Sequence, residues 1–129
     1  QLHVEPIEDN IYIYGYPNEF SQVLLNILSN AKDALKAHTE TELERRITVS
    51  HKSADGFVHI YIVDNAGGID EAILGKVFEP YFTTKHQGQG TGLGLYMSKM
   101  IVEQNMGGTL SVSNADKGAC FTVSLPTFG

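Results

Sequence analysis

The sequence has little cysteine, no tryptophan and a deficit of positive charge. Cys120 is the only cysteine among 129 residues, which excludes an internal disulfide and a cysteine-based metal site. Nine Lys and Arg against 15 Asp and Glu leave a net charge of −6, which argues against a large nucleic-acid-binding surface. No apolar run approaches the length of a membrane span, and no signal peptide is visible.

The remaining composition is that of a folded domain. Hydrophobic residues make up 42% of the chain and charged residues 19%, and the length is sufficient for one core. We therefore expect a single domain over residues 1–129, without internal repeats or linkers. The chain opens with Gln1 instead of Met, so we expect a fragment of a longer protein.

The clearest periodic element is a helix predicted over Pro17 to about Ala37. Proline suits the first helical turn, where Glu19 also favours the positive end of the helix dipole. Apolar residues recur at the spacing of one helix face, at Phe20, Val23, Leu24, Ile27, Ala31, Ala34 and Leu35. Beside that face, Asn26, Asn30 and Asp33 form a polar stripe, which is either a solvated surface or a binding site.

Alternating β-branched and aromatic residues predict the strands. Leu2–Glu5 and Ile11–Tyr16 are interpreted as a hairpin at one edge of a sheet. Arg45–Ser50 and Phe57–Asp64 should pair antiparallel through a turn at Asp55-Gly56.

A short helical turn at Glu71–Leu74 precedes a last long helix that runs from Leu93 to near Gly107-Gly108. Its inner face is predicted to carry Leu93, Met97, Met100 and Ile101. A closing hairpin then pairs Leu110 and Val112 with Phe121, Val123 and Leu125 through the turn Asn114–Gly118.

Three loops contain residue types that suit ligand binding. Gly88–Leu95 has four glycines at alternate positions before a helix, a pattern typical of a phosphate-binding loop, although a mobile linker is the alternative. At the end of a strand, Asp64 could accept from the exocyclic amine of a base or merely form an Asx-turn. The aromatic segment Val77–Lys85 is either a lid anchored by Phe78 and Phe82 or a satellite hydrophobic cluster.

In this order the segments resemble the catalytic and ATP-binding domain of sensor histidine kinases, within the wider group of gyrase, Hsp90 and MutL-type ATPases. Asn26–Ala31 resembles the N box, and Asp64–Ile69 resembles the first glycine box. Phe78–Phe82 resembles the F box, and Gly90–Leu95 the second glycine box. Any one box is weak evidence, but four in this order over nearly the whole chain are strong evidence.

The resemblance implies an α/β (α+β) two-layer sandwich of the Bergerat type, in which a mixed, mostly antiparallel sheet of about five strands packs on three helices. ATP would lie between the helix layer and the lid. The implied activity is that of a protein-histidine kinase, which binds Mg-ATP and transfers the γ-phosphate to a histidine within a two-component system. Such phosphoryl transfer requires positioning and charge neutralisation, which metal, amide ligands and backbone donors supply.

The resemblance also implies roles for single residues. Asp64 would accept from the adenine amino group, Asn30 would ligate Mg²⁺, and Asn26 would assist at the metal or phosphates, which makes the two asparagines the implied catalytic residues. Lys85 is the implied phosphate partner, and Thr122 is similar to a sheet threonine that helps to hold Asp64 and its water. The other implied nucleotide-binding residues are Asp33, Gly68, Ile69, Phe78, Phe82, Thr84, Gly90, Thr91, Gly92, Leu93, Gly94 and Leu95.

Two positions depart from patterns that are common in the group, and a third discriminates among its members. Ala66 stands where the first glycine box usually has glycine, and Asp33 stands where many members carry lysine. Asn26 stands where gyrase-like and Hsp90-like ATPases place the glutamate that activates water, which favours transfer over hydrolysis. The alternatives are an ATPase clamp, a nucleotide-binding module without phosphotransfer, and a serine-directed kinase of the anti-sigma-factor type.

The implied partners are ATP, the protein's own helical dimerisation and phosphoacceptor domain, and indirectly a response regulator receiver domain; no nucleic acid is expected. The helical domain should precede residue 1, since none of the histidines has a helical acceptor context: His3, His38, His51, His59 and His86. We expect a cytoplasmic, monomeric fragment of a homodimeric parent that is either free or anchored in the inner membrane.

Overall fold

The computed structural model describes residues 2–4, 12–13, 17–37, 46–82, 93–115 and 118–128. Its helices are α1 (Pro17–Ala37), α2 (Glu71–Leu74) and α3 (Gly94–Met100), and α3 continues as a π-helical turn over Ile101–Asn105. Its strands are β1 (Leu2–Val4), β2 (Tyr12–Ile13), β3 (Ile47–Ala54), β4 (Phe57–Asp64), β5 (Thr109–Ala115) and β6 (Gly118–Phe128). Helices α1 and α3 pack together on the sheet, so the predicted α/β sandwich is confirmed.

The sheet runs in the order β1-β3-β4-β6-β2, and β5 pairs with β6. The described residues thus form six strands where about five were expected. Strands β3 and β4 pair antiparallel as predicted, and the turn between them has φ of 54° at Asp55 and 81° at Gly56. Two positive φ values in a two-residue turn match the right-handed twist of a hairpin.

The predicted hairpin of the first two strands is wrong. Strand β1 pairs parallel with β3, with Leu2 opposite Ile47. Strand β2 pairs antiparallel with the end of β6, so the two short strands lie at opposite ends of the sheet order. Each of these short strands pairs with a longer strand. Such pairing stabilises a strand of two or three residues more than pairing with another equally short strand would.

The core lies between α1, the π-helical turn and the inner face of the sheet. The predicted face of α1 is confirmed, because Val23, Ile27, Ala31 and Leu35 are at most 6% exposed. The other buried apolar residues include Val58, Ile62, Val102, Met106, Leu110, Ala119, Phe121, Val123 and Leu125. No helix in the described ranges is long and apolar enough to cross a membrane.

The predicted inner face of the last helix is wrong in part. Met97 is 50% exposed and Met100 is 37% exposed, whereas Ser98 and Val102 are fully buried. The buried face of this helix therefore includes the polar residue Ser98, which a search for apolar residues at helical spacing does not find. The predicted end of the helix is confirmed by Gly107, whose φ of 69° is typical of a helix C-terminus.

Lys99 of α3 forms an ion pair with Glu103 in the same helical stretch and also bonds to β5. Lys99 Nζ donates to Glu103 Oε2 at 2.8 Å and to the Leu110 carbonyl oxygen at 2.9 Å. The Lys99 hydrogen bond, opposed by burial and aided by the Leu110 N–H, lowers the pKa of Glu103. Because the folded state favours the charged carboxylate, this contribution to stability is complete above the usual glutamate pKa and is lost as pH falls below it.

We therefore expect Glu103→Gln to reduce the free energy of unfolding by no more than about 1 kcal/mol at pH 7, since both side chains are over a third exposed. The difference from the wild type should disappear as the pH falls below the usual glutamate pKa. Urea unfolding of both proteins, from pH 7 to values below the usual glutamate pKa, measures this difference in the free energy of unfolding. A difference that stays constant with pH would contradict the assignment to this ion pair.

Candidate functional site

The carboxylate of Asp64 is held at the end of β4 through its Oδ1 oxygen. The residue is 4% exposed, and Oδ1 accepts from the backbone N–H groups of Ala66 at 3.0 Å and Ala119 at 3.2 Å. Gly118 makes room for this arrangement, because a Cβ there would lie 2.7 Å from Oδ1. With Oδ1 occupied, Oδ2 is the oxygen that can accept from a ligand.

The loop that follows Asp64 is shaped by two glycines and tied to β5. Gly67 and Gly68 have φ of 91° and 87°, values that residues with a Cβ rarely adopt. Ile69 N–H donates to Asn114 Oδ1 at 2.7 Å, and Asn114 Nδ2 donates to the Ile69 carbonyl oxygen at 2.8 Å. Ala66, which stands in place of the usual glycine, donates its backbone N–H to Asp64 Oδ1.

Asn26 joins the polar stripe of α1 to the start of α3. Its Nδ2 donates to the Gly94 carbonyl oxygen at 3.2 Å and to Ser98 Oγ at 3.0 Å, while its Oδ1 accepts from Gln22 Nε2 at 2.9 Å. The buried Ser98 hydroxyl in turn donates to the Gly94 carbonyl oxygen at 2.9 Å. The structure therefore brings the N box into contact with the end of the second glycine box.

Asn30 lies one turn further along α1 and is half-buried. No hydrogen bond joins its amide to another side chain or backbone group of the described ranges, in contrast to the engaged amide of Asn26. Asp33 follows on the same stripe, is half-buried and is engaged with a partner. The described residues contain no cluster of three His, Cys, Asp or Glu side chains that could hold a metal.

The aromatic segment is anchored to the core by one of its two predicted residues. The Phe78 ring meets the buried Phe121 ring edge-on, with centroids 6.1 Å apart, and Lys99 Nζ lies 4.9 Å from the Phe78 centroid. Phe82 is half-buried, and its N–H donates to the Glu79 carbonyl oxygen. Tyr81 between them is 73% exposed, with a positive φ of 67°.

Five predicted site residues lie outside the described residues: Thr84, Lys85, Gly90, Thr91 and Gly92. Of the second glycine box, Leu93 is half-buried, Gly94 begins α3, and Leu95 packs against the core. Helix α3 therefore begins within the second glycine box, at its last glycine.

Thr122 does not reach Asp64. It pairs with Tyr61 across the sheet and contacts Cys120, on the face opposite Phe121 and Val123. The residue of β6 that does bond Asp64 is Ala119, through its backbone. The resemblance implies this role for Thr122, whereas the strand register decides which residue faces the carboxylate.

Four residues of the site were not assigned a role from the sequence: Ser98, Asn114, Gly118 and Ala119. Three of them act through hydrogen bonds to residues between 45 and 72 positions away, and Gly118 acts through lack of a side chain. The only signal in the sequence was the position of Asn114 and Gly118 at the predicted turn.

The chain matches the family model of histidine kinase-, DNA gyrase B- and HSP90-like ATPases over residues 15–128. It is 41% identical over 116 residues to the two-component sensor PprA of Pseudomonas aeruginosa, covering 88% of this chain and 12% of PprA. It is 40% identical over 115 residues to the sensor histidine kinase ZraS of Escherichia coli, covering 88% of this chain and 23% of ZraS. The chain thus spans less than a quarter of the length of either relative.

Solved structures show the same fold. The catalytic domain of histidine kinase ThkA, in a nucleotide-free form, superimposes with a TM-score of 0.76 at 27% identity, covering 97% of this chain and 76% of that one. The mycobacterial sensor histidine kinase MprB gives a TM-score of 0.77 at 27% identity, covering 98% and 80%. The chain therefore belongs to the histidine kinase-, DNA gyrase B- and HSP90-like ATPases, as a catalytic domain of the sensor histidine kinase type.

Proposed function

We propose that this chain binds Mg-ATP and transfers the γ-phosphate to a histidine on a separate helical dimerisation domain. It would serve as the kinase module of a two-component sensor, with a receiver domain as the later acceptor. An ATPase clamp and a nucleotide-binding module without phosphotransfer are the alternatives that the experiments below distinguish.

The main support for the proposal is the way in which the carboxylate of Asp64 is held. A buried carboxylate whose Oδ1 accepts from two backbone N–H groups is fixed in one orientation and offers Oδ2 as a single directed acceptor. The exocyclic amine of adenine is a donor of matching polarity. Guanine presents a carbonyl oxygen at the corresponding position, so the same geometry favours adenine over guanine.

The residues present also fit a magnesium ion that is held mainly by phosphates. Mg²⁺ prefers oxygen ligands and usually keeps waters and substrate phosphates, so one protein amide oxygen is an adequate contribution. Asn30 has such an oxygen, and its amide is bonded to no other group of the described residues. When bound, the ion would neutralise phosphate charge, and Asn30 would hold it at α1.

Asn26 supports transfer in preference to hydrolysis. Its amide Nδ2 is committed to Gly94 and Ser98, and its Oδ1 to Gln22. An amide cannot remove a proton from water as a carboxylate can, so this position supplies no general base. Its role in our proposal is to hold the start of α3, at Gly94, next to the phosphates.

The first test is calorimetric titration of the chain with AMP-PNP, with and without Mg²⁺. Binding that Mg²⁺ strengthens is the expected result, and absence of binding under both conditions would overturn the proposal. Adding ATP and a purified dimerisation domain from a related sensor kinase then separates the three candidate functions. Phosphohistidine on the added domain supports the kinase, rapid ADP release without it supports the clamp, and binding with neither supports the module without phosphotransfer.

We expect Asn30→Ala to keep the fold but to lose most of the Mg²⁺-dependent gain in AMP-PNP affinity, on the order of tenfold. The physical reason is the loss of the amide oxygen that ligates the ion. Calorimetry with and without Mg²⁺ measures the gain. Ser29→Ala, at the exposed neighbouring position of α1, is the control that should retain it; an Asn30→Ala protein that retains the full gain would show that the metal role is wrong.

A further inference from the structure

We propose that Asn114 is a positioning residue for nucleotide binding, because its side chain holds the loop Asp64–Ile69 in the shape that a base would contact. This inference rests on the proposed function. Asn114 lies on β5, 45 residues from the loop in sequence, and outside the four boxes of the family pattern.

The contact between Asn114 and Ile69 resembles the hydrogen bonding between two paired strands. The Asn114 amide accepts from Ile69 N–H at 2.7 Å and donates to the Ile69 carbonyl oxygen at 2.8 Å, so both polar groups of one residue are paired by one side chain. An asparagine amide has the same donor and acceptor pair as a peptide group. The loop is thereby attached to β5 although no backbone bond joins them at this point.

Both ends of the loop are consequently held by the same hairpin. At its start, Asp64 Oδ1 accepts from Ala119 N–H on β6, and at its end Ile69 is held by Asn114 on β5. Strands β5 and β6 pair antiparallel from Ala115 opposite Gly118 onward. The hairpin therefore sets the distance between the carboxylate and the far end of the loop.

The middle of the loop depends on the same side chain. A Cβ on Gly68 would lie 2.9 Å from Asn114 Oδ1, so the glycine lets the loop approach the amide closely. Two successive glycines with positive φ leave this loop many alternative conformations in the absence of a restraint. Restraining it before the ligand arrives removes an entropic cost from binding.

Asn114→Ala should weaken AMP-PNP binding on the order of tenfold, because two hydrogen bonds that order the loop are lost. The backbone amides of Ala66 and Ile69 should exchange hydrogen faster, while those of buried Val58 and Val123 should be unchanged. Asn105→Ala is the matched control, since Asn105 Nδ2 also bridges two elements by donating to Glu19 Oε2 at 2.9 Å. It should change neither the affinity nor the exchange of the loop.

A double-mutant cycle tests the close approach. Gly68→Ala should weaken binding less in the Asn114→Ala background than in the wild type, because the amide that its Cβ would meet is gone. Strictly additive effects would overturn the proposed contact.

The outcomes distinguish this inference from the proposed function. If the wild type binds AMP-PNP and Asn114→Ala binds it equally well, the positioning role is wrong and the proposed function stands. If the wild type binds no nucleotide, the proposed function fails and the nucleotide role of Asn114 fails with it. Equal loop exchange in wild type and Asn114→Ala would overturn the inference in either case.

Discussion

Replacing Asp64 with Asn is expected to weaken AMP-PNP binding on the order of 100-fold while the protein remains folded. The carboxylate has two acceptor oxygens, of which Oδ1 takes the backbone N–H groups of Ala66 and Ala119. An asparagine has one acceptor oxygen and one NH₂ group. Whichever way its amide turns, a donor faces either the backbone donors or the adenine amine.

The base preference gives this prediction a second measurement. If the asparagine turns its oxygen toward the backbone, its NH₂ group points outward and can donate to a guanine carbonyl. The ratio of GMP-PNP to AMP-PNP dissociation constants should therefore fall in Asp64→Asn. Both constants are obtained by the same calorimetric titration.

Asp70→Asn is the matched control for this substitution. Asp70 is an exposed carboxylate at the start of α2, where its Oδ1 accepts from Ala72 N–H at 2.9 Å. Asparagine caps a helix about as well as aspartate. Asp70→Asn therefore removes the same charge near the site but leaves the acceptor oxygen of Asp64 in place. We expect unchanged affinity; an Asp64→Asn protein that behaves like this control would show that Asp64 does not contact the base.

Gly118→Ala is expected to destabilise the fold by about 2–4 kcal/mol and to weaken nucleotide binding as well. A Cβ at Gly118 would lie 1.8 Å from the backbone oxygen of Asp64 and 2.7 Å from its Oδ1. Backbone atoms at the end of a central strand cannot move aside, so the start of β6 must shift. That shift would lengthen the bond from Ala119 N–H to Asp64 Oδ1, which is 3.2 Å.

Gly75→Ala is the control for the stability measurement. Gly75 ends α2 with φ of −74°, and nothing lies within 4 Å of a Cβ built there. Alanine adopts this φ without strain, so the free energy of unfolding should change by no more than about 0.5 kcal/mol. Urea unfolding followed by circular dichroism compares the two variants, and equal midpoints would contradict the close packing of Gly118 against Asp64.

The local elements of this protein could be predicted because their patterns are complete within short stretches. Helix α1 has an apolar residue at nearly every inward position, and the turn at Asp55-Gly56 has the residue types that positive φ values require. The predicted inner face of the last helix is wrong at Met97 and Met100, because the inward stripe includes Ser98 instead. A buried serine is polar in the sequence, and only its bonds to Asn26 and Gly94 make that burial favourable.

The sequence by itself determined the order of the four boxes, the two main hairpins and the candidate residues Asn26, Asn30 and Asp64. Only the tertiary structure decided which groups hold them. The register of β6 against β4 places Ala119 at Asp64 and turns Thr122 to the other face. The pairing of β5 with β6 brings Asn114 to Ile69. These contacts join residues between 45 and 55 positions apart, and no periodicity in a short segment contains that information, because strand pairing is a property of the whole sheet.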